Sequence, residues 1–399
     1  MERILRTALP TILGGSVTMK RSYCILTTGL SGLLSSSYTV RGLSTVASPL
    51  SQTGPPRSEI DGLHSIASTS VPKIPGSLSY LRTWRRWSES ALDVIRSDLL
   101  SSLPNPVDEE ALQDLSFRLG EAADQGVMPS FSNTGALAGY AVNYFCRAQL
   151  LADLLFEQNE PQFLVLAMNN MLLHTRSTLR TPYRIVSLGG GPGFDFVGLA
   201  LMCSFSAQHR QLPSATISAK ILDYEQGWSP FVDSMSQSVD NVLGGQHSCS
   251  FDGCDITLPL SDASNAACAK ELSNCDLWVC SYCVAENALR LRENDFVFFR
   301  NLFRESKEGA LFVFTETTHR LWSEMVDVAL ATTDFEVAFP RRNGRGKKGR
   351  QLILRKQRGA ALGTEEQLQR KYFEQDNSCQ ERKTGRGIQR MKKKVPGAK

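Results

Sequence analysis

The sequence predicts an α/β domain on a seven-stranded, mostly parallel sheet with an antiparallel last strand, preceded by a helical region. Three observations lead there. From 183 to 356, short apolar runs alternate with stretches of helical periodicity, the pattern of parallel strands joined by right-handed crossovers. The last two strand candidates are linked by 341–349, which carries no helical pattern, and so short a link joins only antiparallel neighbours. Ahead of these, residues 78–176 place apolar side chains at three- and four-residue spacing.

The chain opens with an acid-poor segment. After Glu2 no carboxylate occurs before Glu59, while Arg3, Arg6, Lys20, Arg21 and Arg41 lie among many Ser and Thr. That composition predicts an organellar transit peptide or disordered start over 1–58, with the mitochondrion ahead of the plastid. Val40 to Thr45 resembles sequences around mitochondrial presequence cleavage sites. Residues 51–77 are rich in Pro, Ser and Gly, so 59–77 reads as a linker.

Helical patterns then cover 78–103, 107–125, 134–158 and 162–176. In the second, Leu112, Leu115, Leu119 and Ala122 share one face, and Asp108, Glu109 and Glu110 complement its N-terminus. This region is either purely structural or caps a neighbouring pocket.

The α/β domain is expected over 180–356. Its strands fall at 183–188, 218–224, 248–254, 275–283, 309–317, 335–340 and 350–356. Helices fill 192–207, 226–243, 289–306 and 319–333, with a weaker one at 262–272. Residues 357–399 read as a basic, disordered tail.

Charge is unevenly spread. The net +4 of 399 residues divides into +5 for 1–58, −15 for 59–340 and +14 for 341–399. An acidic body repels nucleic-acid phosphates and a basic end attracts them. The ten cysteines are scattered, which argues for a reducing compartment and against a disulfide framework. No run of 18 apolar residues is long enough to span a membrane.

Chemistry concentrates after four strands. The first runs through Ser187 and Leu188 into Gly189-Gly190-Gly191-Pro192-Gly193-Phe194-Asp195, and a helix follows. Glycines let backbone approach a ligand, and a helix N-terminus offers unpaired N–H groups. The nicotinamide fingerprint G-x-G-x-x-G fails, because its third glycine falls on Phe194. The second strand ends at Asp223-Tyr224-Glu225, where an acid can accept two ribose hydroxyls. Helix capping is the competing role for Asp223. Tyr224 and Trp228 are placed to border a ring.

Gly189-x-Gly191-x-Gly193 resembles motif I of the class I, Rossmann-like methyltransferases that use S-adenosylmethionine (SAM). Seven strands ending in a hairpin is their topology. The resemblance implies a cofactor set of Ser187, Gly189, Gly190, Gly191, Gly193, Asp195, Asp223, Tyr224, Asp255, Ile256 and Ser281. Asp223 would hold the ribose, and Asp255 and Ile256 the adenine; a surface turn is the alternative for Asp255. Ser187 departs from the pattern, since many members carry an acid there.

The fourth strand ends in Cys280-Ser281-Tyr282-Cys283, followed by Glu286. Tyr282 and Glu286 would line the reaction centre, with His319 a third catalytic candidate. Strand alternation would turn the Cys280 and Cys283 thiols to opposite faces, so zinc is not expected. The absence of a D/N-P-P-Y/F/W motif argues against methylation of an exocyclic base nitrogen. Ser281-Tyr282-x-x-x-Glu286 also resembles the mitochondrial-ribosome-associated methyltransferase-like family.

The expected function is methyl transfer in an organelle, to an acceptor for which the basic loop 341–350 and Lys392-Lys393-Lys394 favour RNA. The alternatives are an inactive methyltransferase-like assembly factor for an organellar ribonucleoprotein, and a nicotinamide oxidoreductase.

Overall fold

A computed structural model describes residues 78–103, 105–125, 130–156, 168, 182–210, 215–244, 247–316, 321–339 and 351–357. The expected transit segment, the helix at 162–176 apart from Met168, His319, the basic loop and the tail lie outside the described residues.

Among the described residues, four helices come first: α1 (Leu78–Ser102), α2 (Glu109–Gln125), α3 (Thr134–Asn143) and α4 (Cys146–Phe156). The third and fourth were expected as one. They part at Tyr144 and Phe145, both buried, so the apolar pattern runs on through the break.

Seven strands and six helices follow: β1 (Tyr183–Leu188), α5 (Phe194–Arg210), β2 (Ile217–Asp223), α6 (Ser229–Leu243), β3 (Ser248–Gly253), α7 (Ala266–Glu271), β4 (Leu277–Ser281), α8 (Ala288–Glu293), α9 (Val297–Glu305), β5 (Leu311–Thr315), α10 (Trp322–Leu330), β6 (Phe335–Ala338) and β7 (Gln351–Lys356). The single helix expected over 289–306 is two, α8 and α9. Asp295 and Phe296 between them adopt left-handed φ of 51° and 52° and turn the chain.

The strand order is β3-β2-β1-β4-β5-β7-β6. The first five strands run parallel, and β7 pairs antiparallel with both β5 and β6. From β1 the chain works outward to β3, then crosses to β4, so the order reverses between β1 and β4. Open α/β sheets bind ligands at such a reversal, outside the strands' carboxyl ends.

Side-chain alternation gives the sheet two apolar faces. Ile185, Ile221, Val279 and Val313 point to one, and Val186, Leu222, Trp278 and Phe312 to the other. Helices α7–α10 cover the second face. The first is covered by α5 and α6, and α1–α4 join the same core. Trp84 and Trp87 of α1, both fully buried, pack their rings 5.2 and 5.4 Å from Phe205 of α5. Helix α4 crosses α5 closely: a Cβ on Gly198 would lie 2.6 Å from the Ala148 carbonyl oxygen.

Candidate functional site

A cleft opens at the β1/β4 reversal. The glycine turn, Asp195, Asp223, Ser281, Tyr282 and Glu286 line it from the sheet, and Leu119, Phe131, Tyr140 and Arg147 line it from the helical region.

The turn needs its glycines for two reasons. Gly189, Gly191 and Gly193 have φ of 59°, 50° and 96°, where a Cβ is strained. At Gly189 a Cβ would also lie 2.2 Å from the Cys283 sulfur. The turn closes with Gly193 N–H donating to the Gly190 carbonyl at 3.0 Å.

Asp223 ends β2 and is buried. Its Oδ2 accepts the Gly191 N–H and its Oδ1 the Glu225 N–H, each at 3.0 Å. A carboxylate offers about four acceptor positions, so capacity remains for a further donor such as a ribose hydroxyl. Burial pushes its carboxyl up to about 6 against the pull of these N–H donors. The capping role weighed for Asp223 belongs to Glu225, whose Oε1 accepts the Gly227 N–H at 2.8 Å. Tyr224 is 39% exposed beside the cleft, and Phe131 sets its ring 5.8 Å from both Tyr224 and Trp228.

Ser187 carries no charge, but a carboxylate is there nonetheless. From the first turn of α5, Asp195 accepts the Ser187 hydroxyl at 2.7 Å and the Ser281 hydroxyl at 2.8 Å. Burial raises the Asp195 carboxyl, opposed by both hydroxyls and by Arg147. The sequence shows an acid eight residues downstream; only the fold brings it against β1.

Tyr282 has a left-handed φ of 59°, which costs on the order of 1–2 kcal/mol in a non-glycine residue. Its N–H donates to the Thr315 carbonyl at 2.8 Å. This reversal also corrects the cysteine geometry. Alternation would have turned Cys280 and Cys283 apart, but β4 stops at Ser281 and the two thiols hydrogen-bond each other.

Glu286 is partly buried beyond the strand. Burial, then repulsion from Glu316 and Asp223, push its carboxyl up to about 8, with Arg147 opposing. Glu316 is itself held, its Oε1 accepting the Ala285 N–H at 3.0 Å.

Four predicted site residues among those described stand outside the lining: Gly193, Asp255, Ile256 and Ser187, which is fully buried behind Asp195. The Asp255 carboxylate takes the Thr257 N–H at 2.8 Å and its hydroxyl at 2.6 Å, and Arg290 lies 3.5 Å away. Ile256 is buried in the core of the second face. The sequence reading missed Arg147 and Tyr140, whose helical spacing carries no chemical signature, and Phe131, which lies in the irregular stretch before α3. Among the described residues no three metal-ligating side chains cluster, and no helix is long and apolar enough to cross a membrane.

The strand order, the terminal β6–β7 hairpin and the glycine turn at the reversal define the Rossmann-like fold of the class I SAM-dependent methyltransferases. Solved structures with similar chain paths include a SAM-dependent O-methyltransferase from Thermotoga maritima, at 13% identity and TM-score 0.30, over 53% of this chain and 72% of that one. The plantazolicin methyltransferase BpumL in complex with SAH matches at 14% and 0.33, over 63% and 99%. The DszA carbon methyltransferase matches at 12% and 0.33, over 71% of each chain. No family model and no curated protein matches the chain.

Proposed function

We propose that this chain binds SAM in the cleft and transfers its methyl group, within an organelle, most simply the mitochondrion. The observation that carries the reading is the glycine turn hydrogen-bonded to Asp223 at the sheet reversal. The lining fits such a cofactor chemically. The turn leaves backbone room for an amino-acid end, the paired Asp223 oxygens suit a ribose diol, and Tyr224 and Phe131 offer apolar ring surface. The cleft's acids also suit a sulfonium and an ammonium.

Bound SAM supplies a methyl group activated for in-line displacement. Alignment and removal of water are then the protein's share. Tyr282 and Glu286 stand past the end of β4, where an acceptor would approach. A carboxylate with its pKa near 8 is matched to taking a proton from an acceptor at physiological pH. The helical region works as a wall of this cleft.

RNA is the favoured acceptor, because the +14 of residues 341–399 contrasts with the −15 of 59–340. Labelled-methyl SAM incubated with the protein and an organelle extract tests this. Label in the RNA fraction supports the reading. Label confined to protein or small molecules overturns the RNA acceptor, and no label in any fraction favours a non-catalytic assembly factor.

A further inference from the structure

The inference concerns Arg147, and it rests on the SAM reading above. Among the described residues Arg147 is the one Lys or Arg lining the cleft. It comes from α4, in the helical region, one residue before the close crossing of α4 over α5 at Ala148 and Gly198.

Its guanidinium is held by tyrosines. The carbon at its centre lies 4.3 Å from the Tyr282 ring, 4.8 Å from Tyr144 and 5.3 Å from Tyr140. One nitrogen donates to the Tyr140 hydroxyl. Among the described residues no carboxylate comes within 4.0 Å to form an ion pair with it; Asp195 and Glu286 act on it only at longer range. Tyr282 reaches it at the cost of a left-handed backbone. Ring faces steady a cation without consuming its N–H donors. Arg147 is thus a fixed, partly buried cation with donors left over, facing a cleft whose other charged groups are acids.

A SAM molecule carries a sulfonium, an ammonium and one carboxylate. With Asp223 given to the ribose, Asp195 and Glu286 offer negative partners for the two cationic groups. The carboxylate, set among these acids, has a single cation to meet. We infer that Arg147 receives the carboxylate of the cofactor's amino-acid end, and that the helical region is therefore part of the cofactor site. A planar guanidinium suits a carboxylate through paired N–H donors.

The test is calorimetric titration of the full chain with three ligands. These are SAM, its decarboxylated form (S-adenosylmethioninamine), and 5′-methylthioadenosine, which lacks the whole amino-acid end. The wild type should bind SAM roughly 10- to 100-fold more tightly than the decarboxylated form, the worth of one charged hydrogen-bonding partner. Arg147→Met should bring that ratio near one and leave methylthioadenosine affinity unchanged. Arg147→Lys should restore part of the preference.

A wild-type ratio near one overturns the assignment and needs no variant to fold. An undiminished ratio in a folded Arg147→Met does the same. Both outcomes leave the SAM reading standing. That reading fails separately, and takes this assignment with it, if the wild type binds none of the three.

Discussion

Asp223 holds the Gly191 and Glu225 N–H groups, a structural role, and faces the cleft where the proposed cofactor's ribose would lie. Asp223→Ala should weaken SAM binding by about 1.5–3 kcal/mol, the worth of hydrogen bonds to a charged acceptor. It should also lower the thermal midpoint, because the Gly191 N–H loses its partner. Equal affinity in a folded variant contradicts the ribose assignment. Glu286 carries a pH prediction. Its carboxyl ionises near 4.5 when unfolded and near 8 when folded, so folding takes up a proton between those values. Its contribution to stability is greatest below pH 4.5 and falls as pH rises towards 8. Glu286→Gln, which stays neutral, should be more stabilising at pH 8 than at pH 5 by on the order of 1–3 kcal/mol, discounted for the cleft's contact with water. Denaturant melts at both pH values check this, and a gain independent of pH contradicts it. At this scale the sequence exposed Asp223 and the glycines, because a strand end followed by glycine and acid is a local signal. It could not expose Arg147, which meets Tyr282 from 135 positions away. Nor could it expose the meeting of Cys280 and Cys283, which depends on one left-handed residue that is not glycine.

Among the elements, the β1–α5 turn is the most constrained. Gly189 and Gly191 have similar positive φ but different surroundings. A Cβ at Gly191 would sit 3.8 Å from the Trp228 ring, an ordinary contact, whereas at Gly189 it would strike Cys283. Gly191→Ala should therefore cost only backbone strain, about 1–2 kcal/mol. Gly189→Ala should cost about 2–5 kcal/mol, since overpacking adds to the strain. Equal losses in chemical denaturation would show that the Cys283 contact yields freely. Strand positions were legible because β1, β2, β4 and β5 make compact, mostly apolar runs between polar turns. Helix breaks were not. Ala288 and Leu291 before the reversal at Asp295 and Phe296, and Phe298, Phe299, Leu302 and Phe303 after it, are all buried, so apolar content masks a turn lacking Gly and Pro. The β6–β7 hairpin was legible from the missing helix between two strand candidates.

Across the whole molecule, one core joins the helical region to the first face of the sheet. Trp84 is fully buried between Trp87 and Phe205, and its indole N–H donates to Asp153 at 2.9 Å. Trp84→Ala should destabilise the whole protein by about 3–5 kcal/mol in a single cooperative transition. A separate early transition confined to the helical region contradicts the shared core. The same continuity carries α4, and with it Arg147, to the cleft. The measurement that bears most directly on the central claim is titration of the full chain with SAM and, separately, with NAD. The account predicts saturable binding of one SAM per chain, weakened in Asp223→Ala, with no heat from NAD. Binding of NAD in place of SAM, or SAM binding untouched by Asp223→Ala, contradicts it.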